Sequence, residues 1–179
     1  MRIPIFATFL ILFSASFAYG VQANTEWIEF TSPEGGFSVL LPREPKFERV
    51  TDPQNKEITN YRYTALETSY GFICEYFDIT STGGDLQSFL DATRDGIIRG
   101  AGATKIGEEK ISLGDYPGRE IEMVITVNNE TEIRARARIF IVGKRLYSLS
   151  FLHTKDMDPK EVAETGTKFF SSFKVTPKK

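Results

Sequence analysis

The sequence predicts an α/β (α+β) domain built on an antiparallel β-sheet of about six to eight strands flanked by helices. Three observations predict it. Runs rich in β-branched and aromatic residues are joined by turns too short for parallel crossovers, such as Gly114-Asp115 and Gly143-Lys144. Two segments switch to helical spacing, one after Asp85 and one after Asp158. The strand expected over 71–79 carries Ile73, Phe77 and Ile79 on one face and Phe72, Cys74 and Tyr76 on the other, so both faces must be covered.

The elements follow in order. Residues 27–31 and 37–41 read as an N-terminal hairpin across the turn Ser32-Pro33-Glu34-Gly35-Gly36. Pro42 and Pro45 bracket a loop, and 51–56 reads as a second, polar loop. Residues 58–66 and 71–79 form the next hairpin. Asp85 is a natural N-cap, and Leu86, Phe89, Leu90, Ile97 and Ile98 make one apolar helical stripe that Gly100 and Gly102 end. Residues 104–113, 116–127, 130–142 and 145–153 are four further strands. Asp158-Pro159-Lys160-Glu161 opens the last helix with a cap, a first-turn proline and an acid three residues on. Val162, Phe169, Phe170 and Phe173 give that helix its apolar side. The expected order is roughly four strands, a helix, four strands, a helix.

The first residues set the compartment. Arg2, an apolar stretch over 5–18 and the small residues Val21 and Ala23 have the three parts of a secretory signal, with cleavage expected after Ala23. The stretch is shorter than the ~20 apolar residues that cross a bilayer, so no stable span is expected after cleavage. Residues 24–179 then form a single α/β domain, long enough to bury about 70% of its unfolded surface. The chain's one cysteine cannot close an internal disulfide, and the full chain's net charge of −2 gives no electrostatic case for nucleic acid.

Arg134, Arg136 and Arg138 alternate along one strand and form the most conspicuous charge pattern. Glu120 and Glu122 alternate likewise on the preceding strand, and a turn near Asn128-Asn129 would set acids opposite arginines. A structural ladder of ion pairs accounts for the pattern, and a partner- or anion-binding stripe is the alternative. His153, the only histidine, lies at a strand end with no evident nucleophile beside it, and Cys74 sits inside an apolar strand. One histidine and one cysteine make a zinc site improbable, and the carboxylates form no calcium loop. No catalytic residue, metal ligand or cofactor is therefore assigned.

Several stretches together resemble exported bacterial proteins of the PsbP/Mog1-like group. They are Glu34-Gly35-Gly36-Phe37-Ser38-Val39-Leu40-Leu41-Pro42 with Pro45-Lys46, Tyr116-Pro117-Gly118-Arg119-Glu120, Arg145-Leu146-Tyr147-Ser148-Leu149 and Phe169-Phe170-Ser171-Ser172-Phe173. The resemblance implies a PsbP/Mog1-like α/β/α sandwich and a binding or assembly role, as in an extrinsic subunit of photosystem II. It carries over no site residue. The expected function is an exported, non-enzymatic interaction or assembly module of the periplasm or cell envelope, whose partner is an envelope or extracytoplasmic protein. The alternatives are a binder of a small apolar ligand, since 15 phenylalanines and 7 tyrosines could line a cavity, or a hydrolase using scattered carboxylates or His153.

Overall fold

A computed structural model describes residues 26–51, 59–80, 84–128 and 130–176. The expected signal peptide over 1–23 and the polar loop beyond Thr51 lie outside the described residues. The chain runs β1 (Ile28–Ser32), β2 (Phe37–Leu41), β3 (Lys46–Thr51), β4 (Thr59–Leu66), β5 (Tyr70–Asp78), α1 (Leu86–Gly100), β6 (Ala103–Leu113), β7 (Tyr116–Val127), β8 (Thr131–Val142), β9 (Arg145–Thr154), α2 (Pro159–Ser172) and β10 (Lys174–Val175). Seven strands make an antiparallel sheet in the order β3-β4-β5-β9-β8-β7-β6. β1, β2 and β10 make a separate three-stranded sheet.

The period-two alternation of the central strands splits the core into two layers. Phe72, Cys74, Tyr76, Phe140, Tyr147, Leu149 and Phe151 point to one face, where β2 supplies Phe37, Val39 and Leu41 and α2 supplies Phe169 and Phe170. Ile73, Phe77, Ile121, Met123, Ala137, Ile139 and Leu146 point to the other, where α1 supplies Leu90 and Ile97. The large sheet is thus covered on both sides, as the doubly apolar strand requires. The coverings differ, with α1 on one face and α2 plus the small sheet on the other.

Local chemistry sets the helix starts. The Asp85 carboxylate accepts from the backbone N–H of Gln87 and Ser88 at 2.8 and 3.0 Å. Asp158 accepts from those of Lys160 and Glu161 at 2.9 and 3.2 Å. Each cap satisfies donors that the first turn would otherwise leave unpaired, worth ~1 kcal/mol. The β8–β9 hairpin closes on Gly143 with φ of 60°, the positive value its two-residue turn needs.

Among the described residues, five strands precede α1, one more than the sequence predicts. The extra one is β3, which follows Pro45 and pairs with β4 from Lys46↔Thr64 to Thr51↔Thr59. It is an edge strand with no fully buried residue, so it lacks the hydrophobic alternation that marks a strand in sequence. β10 is only two residues long and too short to signal at all.

Candidate functional site

β8 turns Arg134, Arg136 and Arg138 toward α2, because Ile133, Ala135, Ala137 and Ile139 between them go to the α1 core. β7 sets Glu120 opposite Arg138 and Glu122 opposite Arg136, while Arg134 faces Val124. On the other side β9 sets His153 beside Arg134 and Phe151 beside Arg136. The expected register of acids against arginines is present, yet the three arginines are used differently.

Arg138 closes its cross-strand pair, its Nε lying 2.5 Å from Glu120 Oε2. Arg134 is more than half exposed and pairs along its own strand with Glu132 at 3.1 Å. Arg136 is half-buried and, among the described residues, makes no ion pair. Its guanidinium carbon lies 5.2 Å from the centre of the Phe170 ring, whose face it shares with Arg138 at 4.6 Å. α2 comes so close to Arg136 that any residue larger than glycine at position 166 would displace its guanidinium. A Cβ on Gly166 would sit 2.5 Å from Arg136 Nη2 and 3.3 Å from the Phe151 ring.

Beside Arg136 a cavity of about 420 Å³ opens between α2 and the β7–β8–β9 end of the sheet. Arg134, Arg136 and Lys155 border it against one carboxylate, Glu122, so its field is cationic. Met157, Val162, Ala163 and Phe151 supply an apolar wall, and Thr167 a hydroxyl. His153 lies at the same border, its ring stacked on Phe151 at 5.5 Å between centroids. Burial pulls the imidazole below its ordinary pKa of 6.5, and the charges of Arg134 and Arg136 act the same way, against a hydrogen bond to the Thr154 carbonyl. The neutral ring donates its Nδ1–H to Thr154 O at 2.9 Å. That leaves Nε2 a lone pair and no cation.

This arrangement can hold an anion on Arg136 and an apolar group on the α2 wall. Cys74 lies elsewhere, buried beneath the small sheet, and burial pushes its thiol far above its ordinary pKa. Among the described residues no group of three His, Cys, Asp or Glu side chains is placed to hold a metal ion. No helix among them is long and apolar enough to cross a membrane.

Sequence reasoning singled out the arginines, His153, Val162 and Phe170, but not Met157, Gly166 or Thr167. A signal for them was present: an isolated glycine between two threonines inside a helix is costly unless something packs against it.

No protein-family model matches the chain, and no curated protein matches it by sequence. Solved structures do match. Cyanobacterial PsbP (CyanoP) from Synechocystis sp. PCC 6803 superposes with a TM-score of 0.60 at 14% identity, over 89% of this chain and 98% of that one. The Ran-binding protein Mog1p of Saccharomyces cerevisiae superposes with a TM-score of 0.50 at 10% identity, over 85% of this chain and 96% of that one. The antiparallel seven-stranded sheet, the small accessory sheet and the two helices therefore make up the PsbP/Mog1-like fold.

Proposed function

We propose that the chain is an exported, non-enzymatic interaction or assembly module of the periplasm or cell envelope, and that it engages a partner protein at the cationic cavity beneath α2. The observation that carries this reading is Arg136. A half-buried cation is costly to hold unless an anion meets it, and the acid opposite it in register, Glu122, makes no ion pair with it. An anion brought by a partner fills that role. The fold supports a binding role by analogy, since Mog1p is a Ran-binding protein built on the same scaffold.

Changing Arg136 to glutamine tests the reading. Melting is expected to move little, because a partly exposed charge contributes ~0.2–1 kcal/mol. Capture of the partner from the native envelope fraction is expected to fall strongly, and the wild-type interaction to weaken with salt. Equal capture by both proteins, at matched stability, would sink the proposal. The compartment rests on the segment 1–23 and has its own test. N-terminal sequencing of the exported protein is expected to begin at Asn24. A mature product that keeps Arg2 would contradict export by signal cleavage.

A further inference from the structure

We infer that the cavity beneath α2 takes a carboxylate at the end of an apolar group, in the form of the C-terminal residue of a partner polypeptide. The inference rests on the cavity being the recognition site and adds the chemistry of what enters it. Arg136 offers a planar fork of N–H donors, which matches the two oxygens of one carboxylate. Its neighbours on β8 are already engaged, Arg138 with Glu120 and Arg134 with Glu132. One free fork therefore favours a singly charged ligand. Glu122, exposed at the border and opposite Arg136, repels a second negative charge, and the exposed amine of Lys155 is screened by solvent.

The rest of the ligand follows from what adjoins the fork. Phe151, Met157 and Val162 form an apolar wall that a leucine- or valine-sized side chain can cover. Glu122 then finds a use that a fatty acid could not give it. A peptide carries a backbone N–H beside its terminal carboxylate, and that N–H can donate to the Glu122 carboxylate while the terminus sits on Arg136. A carboxylate, an amide N–H and an apolar side chain on one carbon are the parts of a C-terminal residue.

The test is a titration of the full mature chain, followed by NMR shifts and calorimetry. The probes are an N-acetylated tetrapeptide ending in leucine with a free carboxylate, the same peptide as its C-terminal amide, octanoate and inorganic phosphate. The free acid is expected to bind at least about tenfold more tightly than the amide, as befits a charge-assisted pair. Arg136→Gln is expected to erase that difference. Gly166→Ala keeps the charge but pushes the guanidinium aside, since its Cβ would lie 2.5 Å from Arg136 Nη2. It is expected to weaken the free acid several-fold at only a small cost in melting temperature, because alanine's better helix propensity offsets its 3.3 Å approach to the Phe151 ring. Equal binding of acid and amide overturns the carboxylate. Octanoate binding as tightly as the peptide overturns the polypeptide terminus, and tighter binding of phosphate overturns the single charge. Partner capture lost in Arg136→Gln while no peptide binds would overturn this inference and leave the cavity as the partner site. Peptide binding with unchanged partner capture would do the reverse.

Discussion

Truncating Phe37 to alanine is expected to lower stability by about 3–5 kcal/mol, the cost of emptying a fully packed aromatic site. Phe37 opens β2 and is 2% exposed. Its ring centroid lies 5.7–6.3 Å from those of Tyr63, Tyr76, Tyr147, Phe30 and Phe173. Those five rings come from both sheets and from the end of α2, so Phe37 is where the small sheet is fastened to the large one. Their mutual contacts hold the surrounding frame in place, so the vacated space cannot close by a local shift. A domain of ordinary stability holds about 5–15 kcal/mol in all, so the variant should be marginal at room temperature. Phe47→Ala is the control: Phe47 lies on edge strand β3 and is 45% exposed. Its loss should cost less than about 1 kcal/mol. Urea titrations of the two variants and the parent decide the matter, and equal losses would show that the small sheet is not anchored at Phe37.

The same residue shows what could be read in advance. Phe37 lies in a run that alternates strictly in burial, and its strand was evident from the turn before it and the proline after it. β4, β5, β7, β8 and β9 were legible because each carries an apolar face and is closed by turn residues, whereas edge strand β6, with no buried residue, was legible from the Gly114-Asp115 turn that joins it to β7. The pairing of β7 with β8 could be set in register, since Ile121 and Met123 have to share a face with Ala137 and Ala135. What could not be read is how the layers close. Nothing local says that β1 and β2 leave the main sheet and cap it with β10, because that is decided by rings far apart in the chain. β3 was hidden because an edge strand that buries little carries little pattern. The site was half legible. The arginine alternation marked the strand, but which arginine lacks an acid depends on where α2 crosses it. That crossing is a tertiary fact, which Gly166 hints at and only packing settles.

The face opposite the cavity gives the second large effect. Arg119 on β7 is 3% exposed and points at α1. Its Nη2 lies 2.9 Å from Asp91 Oδ1, its Nε lies 3.5 Å from Glu108 Oε1, and its Nη1 donates to the Gly118 carbonyl at 3.2 Å. Arg94 joins the same acids, 2.6 Å from Glu108 and 3.3 Å from Asp91, and Lys105 holds the other Glu108 oxygen at 2.6 Å. Removing both acids, as in Asp91→Asn with Glu108→Gln, leaves a buried guanidinium without a carboxylate. That is expected to cost about 3–5 kcal/mol. Either single change should cost much less, because one acid remains and Asp91 is 45% exposed, where solvent screens it. Arg119→Met removes the buried charge itself and should be near neutral, since Arg94 and Lys105 still satisfy the acids. Acid should remove the Glu108 part of this cluster. Burial pulls the Glu108 carboxyl up, but hydrogen bonds from Lys105 and Arg94 and their charges bring it below its ordinary value of 4.5. A carboxyl depressed on folding stabilises fully above its unfolded pKa, so this contribution should be complete above pH 4.5 and lost as pH falls through the lower folded value. Melting curves from pH 7 to pH 3 should therefore fall less steeply for Glu108→Gln than for the parent. Parallel curves, or a double variant no less stable than either single one, would mean that α1 is held on the sheet by its apolar stripe alone.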